Sequence, residues 1–125
     1  MPSTDITDMT YQFAIRTVKM YRYLTEEAPK RELVLSKQVL RSGTSIGANV
    51  EEAQHAQSEP DFLSKVSISL KETRETRYWL RLLRDTGYLE AKLADSMLED
   101  CENIYNVLKA IVNTTSNHIK KKKKQ

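Results

Sequence analysis

The chain has 125 residues, a single cysteine and a formal net charge of +3. This length predicts one domain whose core needs neither disulfides nor a structural metal. The single cysteine excludes an internal disulfide framework, and no apolar run approaches the length that crosses a membrane. Because no secretory signal is visible near Met1, we expect a cytoplasmic protein without a membrane partner.

The charge is unevenly distributed along the chain. Five consecutive lysines stand near its end: Lys120, Lys121, Lys122, Lys123 and Lys124. Residues 1–119 carry the other 15 Lys and Arg against 17 Asp and Glu, a net of −2. Since a run of like charges favours disorder and can bind phosphates by counterion release, we expect a folded domain at 1–119 and a disordered tail at 120–125. The tail either contacts RNA or DNA or only keeps the protein soluble.

Apolar residues recur at helical spacing, and no alternating pattern typical of a strand is present. The first predicted helix begins at a cap on Ser3 or Thr4 and extends to about Glu26. Its inner face comprises Phe13, Ala14, Val18, Tyr21 and Leu24. Residues 28–31, which include Pro29, interrupt it. The second predicted helix runs from about Glu32 to Gln57, with an inner face at Leu35, Val39, Gly43, Ile46, Val50 and Ala53.

The third predicted helix spans about Glu59 to Thr86. Ser58 supplies a capping box at its start, and Gly87 is typical of a left-handed C-terminal cap at its end. The fourth has an amphipathic pattern at Leu93, Met97, Cys101, Ile104, Leu108, Ile111 and Thr115. Short loops make consecutive helices antiparallel neighbours. The sequence therefore predicts an all-α, up-down-up-down antiparallel four-helix bundle.

The second helix contains an unusual group of small residues. Gly43 and Gly47 lie four residues apart and open on the same side, although each costs roughly 1 kcal/mol of helix propensity relative to alanine. Their neighbours Ser45, Ala48 and Asn49 are also small or polar. The pattern predicts the close approach of another helix, with a specific polar site as the alternative.

The third helix has more apolar surface than one core can cover. If Phe62, Val66, Ser69, Thr73 and Leu80 face inward, an outer stripe remains that comprises Ile68, Tyr78, Trp79 and Leu82. An apolar stripe outside the core predicts the interface of a homo-oligomer. The alternative is that the neighbouring helices cover this stripe.

The third helix also carries four arginines at helical steps: Arg74, Arg77, Arg81 and Arg84. Arginines beside aromatic rings can bind phosphates and stack on bases, which makes these residues nucleic-acid candidates. The alternative is local pairing, because Glu72, Glu75 and Asp85 lie within helical reach.

Several segments together resemble one family. They are Gln38-Val39-Leu40-Arg41-Ser42, the Ser-Ile-x-Ala-Asn element at residues 45–49 with Val50-Glu51-Glu52-Ala53 after it, Phe62, and Gly87-Tyr88-Leu89. They resemble bacterial four-helix-bundle proteins encoded in intervening sequences of 23S rRNA genes. The resemblance implies a closed ring of subunits, typically a pentamer, and a link to nucleic acid. Proteins of related fold are accessory to reverse transcriptases of diversity-generating retroelements. The resemblance implies no catalytic residue.

One segment departs from the family pattern. Relatives often continue past the Asn element with Glu-Gly and several basic residues, whereas here Glu52-Ala53 lead into Gln54-His55-Ala56-Gln57. The body therefore lacks a basic patch at that turn, which argues against nucleic-acid binding by the folded domain.

The chain offers little for catalysis. It has two histidines, no glycine-rich phosphate loop and no zinc-ligand pattern. We therefore expect no enzyme, no cofactor, no metal and no small-molecule substrate. The remote alternative is a di-metal carboxylate bundle enzyme, because Glu52 and His55 form one Glu-x-x-His step. The other helices add Glu72, Glu75, Glu99 and Glu102 but no second histidine.

These observations favour a non-catalytic oligomeric scaffold or accessory protein with weak RNA contact that lacks sequence preference. The alternative is an oligomer that acts only through proteins, with the lysines as a solubilising tail.

Overall fold

The computed structural model describes residues 5–124. Over this range the chain forms four α-helices and no strand, which confirms the all-α prediction. The helices are α1 (Ile6–Arg22), α2 (Leu35–Ala53), α3 (Glu59–Asp85) and α4 (Ala91–Lys123), and a π-helical turn (Tyr23–Glu27) prolongs α1. Each helix packs on the next, and α4 also contacts α1. None of the described helices is both long and apolar enough to cross a membrane.

Helix α1 begins behind Asp5, whose carboxylate accepts the N–H of Thr7 at 2.9 Å. The predicted caps, Ser3 and Thr4, lie outside the described residues. The π-helical turn closes where the N–H of Ala28 bonds to the carbonyl of Tyr23, five residues back, at 2.8 Å. Pro29 then holds Ala28 in an extended conformation, so the helix ends where the sequence predicts.

The inner face of α1 differs from the predicted one. Val18 was expected inside but is 40% exposed. Thr10 and Thr17 are buried instead, beside Phe13. Each threonine hydroxyl donates to the carbonyl four residues earlier at 2.8 Å, so its burial leaves no hydrogen-bonding group without a partner. A pattern that counts threonine as polar therefore misplaces this face.

Helix α2 starts three residues later than predicted, because Glu32 serves as its cap. The buried Glu32 carboxylate accepts the N–H groups of Val34, Leu35 and Ser36 at 3.1, 2.9 and 2.6 Å. Burial alone would raise the pKa of Glu32, but the hydrogen bonds from these N–H groups outweigh burial and lower it. The far end of α2 is Ala53 and not Gln57.

Helix α3 has the predicted start and end. The Ser58 hydroxyl accepts the N–H of Asp61 at 3.2 Å, while the Asp61 carboxylate accepts the N–H of Gln57 at 3.2 Å. Gly87 adopts the left-handed conformation, with φ of +84°. The N–H of Leu89 then returns to the carbonyl of Leu83 at 3.0 Å, and Leu89 is buried.

Helix α4 continues through the lysines that were predicted to be disordered from Lys120 onward. Lys120 to Lys123 form its last turn. Positive side chains are favourable beside the carbonyl end of a helix, and Lys122 is also paired with Glu59 of α3. Both interactions offset the mutual repulsion on which the prediction of disorder was based.

The contacts between neighbouring helices run in opposite order along the chain. Ser69 Oγ of α3 donates to the carbonyl of Ile46 at 2.8 Å, and Thr76 Oγ1 donates to Ser42 Oγ of α2 at 2.9 Å. Residues with higher numbers in α3 therefore contact residues with lower numbers in α2. The same holds between α3 and α4, where Arg84 pairs with Asp95 and Glu59 pairs with Lys122.

Candidate functional site

Gly43 and Gly47 lie against α1. A Cβ atom on Gly43 would be 2.7 Å from Cγ2 and 2.9 Å from Oγ1 of Thr17. A Cβ atom on Gly47 would be 3.2 Å from the backbone oxygen of Thr10. These distances are shorter than ordinary van der Waals contact, so the absence of both side chains allows α2 to lie this close to α1.

The polar groups next to the glycines are used within the fold. The Asn49 amide donates to the carbonyl of Ser45, one turn earlier in α2, at 2.9 Å. Both residues are half-buried, whereas Ala48 is exposed. Ser42 is fully buried and bonded to Thr76 of α3. The small-residue segment thus connects α2 to its neighbours on both sides.

Part of the outer stripe of α3 is exposed. Ile68 is 40% exposed and Tyr78 is 53% exposed, while Trp79 and Leu82 are half-buried. The Trp79 ring packs against the core, and the edge-to-face Tyr78 ring lies 5.2 Å from it. On the opposite side of the helix, three small hydroxyl residues are buried: Ser69, Thr73 and Thr76. Helix α3 therefore buries small polar groups and leaves larger apolar groups at its surface.

Other exposed apolar residues were not identified from the sequence. Leu33 and Val34, in the connection that leads into α2, are the most exposed large hydrophobic residues among those described, at 62% and 71%. On α1, Tyr11 is 59% exposed. Their position in the sequence could have indicated this exposure. Leu33 and Val34 follow the interruption at Pro29 and precede the helical pattern that begins at Leu35.

The four arginines of α3 have different surroundings. Arg84 bonds to Asp85 and to Asp95 of α4, each at 2.8 Å, and its bond to Asp85 lowers the pKa of that carboxyl. Arg74 lies over the ring of Tyr105 in α4, with its guanidinium carbon 3.7 Å from the ring centre. These two arginines tie α3 to α4.

Arg77 and Arg81 are exposed. The predicted acidic partners Glu72 and Glu75 pair with Arg41 of α2 instead. Arg74 is exposed as well but lies on the ring of Tyr105, so Arg77 and Arg81 are the exposed arginines of this set that make no side-chain hydrogen bond, ion pair or ring contact with the described residues.

The lysine run and the beginning of α3 form one charged cluster. Lys122 Nζ lies 2.5 Å from Oε1 of Glu59, and His118 Nδ1 lies 2.5 Å from Oε2 of the same carboxylate. The Lys122 bond, followed by the His118 bond, holds the pKa of Glu59 below its usual range. Lys120, Lys121, Lys123 and Lys124 are exposed. We call Glu59, His118 and Lys122 the Glu59 cluster.

The structure separates the two residues of the suggested metal-ligand step. Because α2 ends at Ala53, His55 lies beyond the helix and does not share a helical face with Glu52. Glu52 pairs with Lys65 at 3.1 Å. Among residues 5–124, no three His, Cys, Asp or Glu side chains are placed to hold a metal ion together. Cys101 is buried, and burial raises the pKa of its thiol to about 12, so it stays protonated at neutral pH.

A family model for 23S rRNA-intervening sequence proteins matches residues 3–110. Among solved structures, the chain is similar to a protein of unknown function from the S23 ribosomal protein family of Bacteroides thetaiotaomicron. The two share 46% sequence identity, and the TM-score is 0.82. The similarity covers 86% of this chain and 97% of the other. No curated protein is significantly similar to this sequence.

Proposed function

Because the chain belongs to the family of 23S rRNA-intervening sequence proteins, we propose that it is a non-catalytic, oligomeric scaffold or accessory protein that contacts RNA weakly and without sequence preference. The observation that carries this proposal is the lysine run, Lys120 to Lys124, at the end of α4. All five of its residues are exposed, and Lys122 is paired with Glu59. The residues before the run have a net charge of −2, so the positive potential is concentrated here.

The physical basis of this contact is counterion release. Lysine ammonium groups bind phosphate oxygens without reading base edges, so they supply affinity but little specificity. Successive residues of a helix point about 100° apart, which spreads the lysines around the end of α4 and prevents one flat surface from engaging all of them. Binding through this run is therefore expected to be weak for a single chain and to fall steeply with salt.

The proposed architecture is an antiparallel four-helix bundle that assembles into a ring. The opposite order of contacts between neighbouring helices supports the antiparallel arrangement. The exposed side chains of Ile68 and Tyr78 on α3 support a further interface, because they are large and apolar. A ring, typically a pentamer in proteins of this type, brings the lysine runs of several subunits together. Their combined affinity then exceeds that of one run through effective concentration.

A binding titration tests the RNA proposal. Fluorescein-labelled poly(U) is titrated with the full chain and with a variant that lacks Lys120 to Lys124, at about 50 and 200 mM salt. We expect the full chain to bind at the lower salt and the truncated variant to lose most of that affinity, with helicity and oligomer mass unchanged. Equal binding by both proteins would contradict the proposal and direct attention to Arg77 and Arg81.

A second candidate function is an oligomer that acts only through protein partners. The exposed apolar surface of α3 favours it, since such surfaces are common at protein interfaces. This candidate predicts an intact oligomer whose full chain has no salt-dependent affinity for poly(U). For either function we infer a cytoplasmic location, because a single unpaired cysteine such as Cys101 is typical of reducing compartments.

A further inference from the structure

The Glu59 cluster brings an acidic side chain into the lysine run. Glu59 is the first residue of α3, and its two carboxylate oxygens are shared between Lys122 and His118, each at 2.5 Å. His118 and Lys122 follow Glu59 by 59 and 63 positions in the sequence. Both contacts therefore depend on the packing of α3 against α4. Among the described residues, Lys122 is the member of the run that forms a salt bridge within 4.0 Å.

We propose that Glu59 is an internal competitor for phosphate, which occupies Lys122 and His118 and so lowers the affinity of the lysine run for a polyanion. This inference rests on the proposed function and adds its regulation. A phosphate group carries the same kind of charge-bearing oxygen atoms as a carboxylate and binds the same donors. A polyanion that contacts Lys122 therefore competes with Glu59 for the charge and the N–H donors of this ammonium group.

The competition has a measurable signature in the salt dependence of binding. When a phosphate of the RNA binds a solvent-exposed lysine, the cations condensed on that phosphate are released. As long as Glu59 holds Lys122, this lysine neutralises no phosphate and releases no cation. Removal of the Glu59 charge therefore steepens the plot of log affinity against log salt, by about 0.7 for one added phosphate contact on a single strand.

The experiment compares Glu59→Gln with Glu52→Gln in the full chain, with labelled poly(U) as the probe. Glu52 is the matched control because it also pairs with a lysine of a neighbouring helix, Lys65, that lies outside the run. Each substitution removes one negative charge. We expect Glu59→Gln to bind up to about fivefold more tightly than the wild type, the range for exchange of an exposed ion pair, and with the steeper slope. Glu52→Gln is expected to stay close to the wild type in both its affinity and its salt slope.

A second comparison separates competition from a general change in charge. In the wild-type background, Lys122→Gln is expected to reduce affinity less than Lys121→Gln, because both lysines are exposed but Lys122 is paired with Glu59. In the Glu59→Gln background, the two lysine substitutions are expected to reduce the affinity equally. Circular dichroism of each variant checks that the end of α4 remains helical.

The outcomes distinguish this inference from the function on which it rests. If deletion of Lys120 to Lys124 lowers affinity but Glu59→Gln and Glu52→Gln bind alike, the lysine run binds RNA and the competition is refuted. If the deletion has no effect on binding, the lysine run has no affinity for RNA that Glu59 could reduce, and both proposals fail. Equal losses for Lys121→Gln and Lys122→Gln in the wild type would also refute the competition.

Discussion

The hydrogen that replaces a side chain at Gly43 is what allows α2 to lie against Thr17 of α1. An added Cβ would meet Cγ2 of Thr17 at 2.7 Å. That methyl group belongs to a buried, β-branched side chain whose hydroxyl is already bonded to the carbonyl of Phe13. Thr17 therefore has little freedom to rotate away, and the helices would have to separate.

We predict that Gly43→Ala lowers the free energy of unfolding by up to about 2 kcal/mol. Overpacking costs roughly 1–3 kcal/mol, and alanine regains about 1 kcal/mol of helix propensity. In a Thr17→Ala background the two nearest atoms are absent and only Cβ of residue 17 remains, at 3.3 Å, so the same substitution is expected to cost less or to stabilise the protein. Chemical denaturation of the four proteins measures both values. A Gly43→Ala effect of the same sign and size in both backgrounds would show that Thr17 is not the obstacle.

Glu32 is a second residue whose role depends on its surroundings. It caps the first turn of α2 through three backbone N–H groups, and its pKa is lowered in the folded state. A group with a depressed folded pKa contributes stability at pH values above its unfolded pKa, and this contribution is lost as the pH falls through the folded value. Glu32 should therefore stabilise the protein at neutral pH and not in strong acid.

We predict that Glu32→Gln lowers the free energy of unfolding at pH 7 by about 0.5–2 kcal/mol, the usual range for loss of a helix cap. The difference from the wild type should shrink as the pH falls below about 4, because the protonated glutamate then resembles glutamine. The control is Glu90→Gln, since Glu90 also precedes a helix but makes no capping bond with its side chain. If Glu32→Gln is as mild as Glu90→Gln at pH 7, Glu32 is not the cap of α2.

At the scale of the elements, α2 and α3 are joined by buried hydroxyl groups. Thr76 Oγ1 lies 2.9 Å from Ser42 Oγ, and both residues are fully buried. Such a contact keeps two helices close because the side chains are small, but it leaves a polar group unsatisfied when one partner is removed. The interface is therefore expected to be sensitive to replacement of one hydroxyl residue and more tolerant of replacement of both.

We predict that Thr76→Val destabilises the fold by roughly 1–3 kcal/mol, because the buried Ser42 hydroxyl loses its partner. The double variant Ser42→Ala/Thr76→Val is expected to be closer to the wild type than the sum of the two single variants. Thermal or chemical unfolding of all four proteins gives the coupling. Simple additivity would mean that the two hydroxyls act independently.

The elements themselves could largely be predicted from the sequence. Apolar spacing located the four helices, and the local signals at Ser58 and Gly87 placed both ends of α3 within one residue. The start of α2 was misplaced because the cap at Glu32 lies three residues before the helix. The inner face of α1 was misplaced because Thr10 and Thr17 satisfy their hydroxyls within the helix, which periodicity does not reveal.

The candidate site was less predictable, because it depends on contacts between distant segments. Family membership, suggested by the element at Ser45 to Asn49, is confirmed. The sequence showed four arginines on α3 but not that Tyr105 and Asp95 of α4 engage two of them. It likewise showed the lysine run without its partner Glu59. Side chains brought together by the packing of α3 on α4 have no signature in a single helix.

At the scale of the whole molecule, the distribution of exposed apolar side chains bears on assembly. Tyr78 and Ile68 belong to the stripe that the sequence predicts as an interface, and both are exposed in the single chain. Trp79 belongs to the same stripe but packs against the core, so its substitution would disturb folding and assembly together. Tyr78 is therefore the more decisive position to change.

We predict that Tyr78→Asp reduces the proposed oligomer to smaller species at micromolar concentration without loss of helicity, because a desolvated carboxylate opposes an apolar interface. Light scattering measures the mass, and circular dichroism measures the fold. The matched control is Tyr11→Asp on α1, since Tyr11 is also a tyrosine and is 59% exposed against 53% for Tyr78. If Tyr11→Asp dissociates the oligomer and Tyr78→Asp does not, the subunits meet through α1. A monomeric wild-type protein would refute the ring itself, and the lysine runs would then have to act one chain at a time.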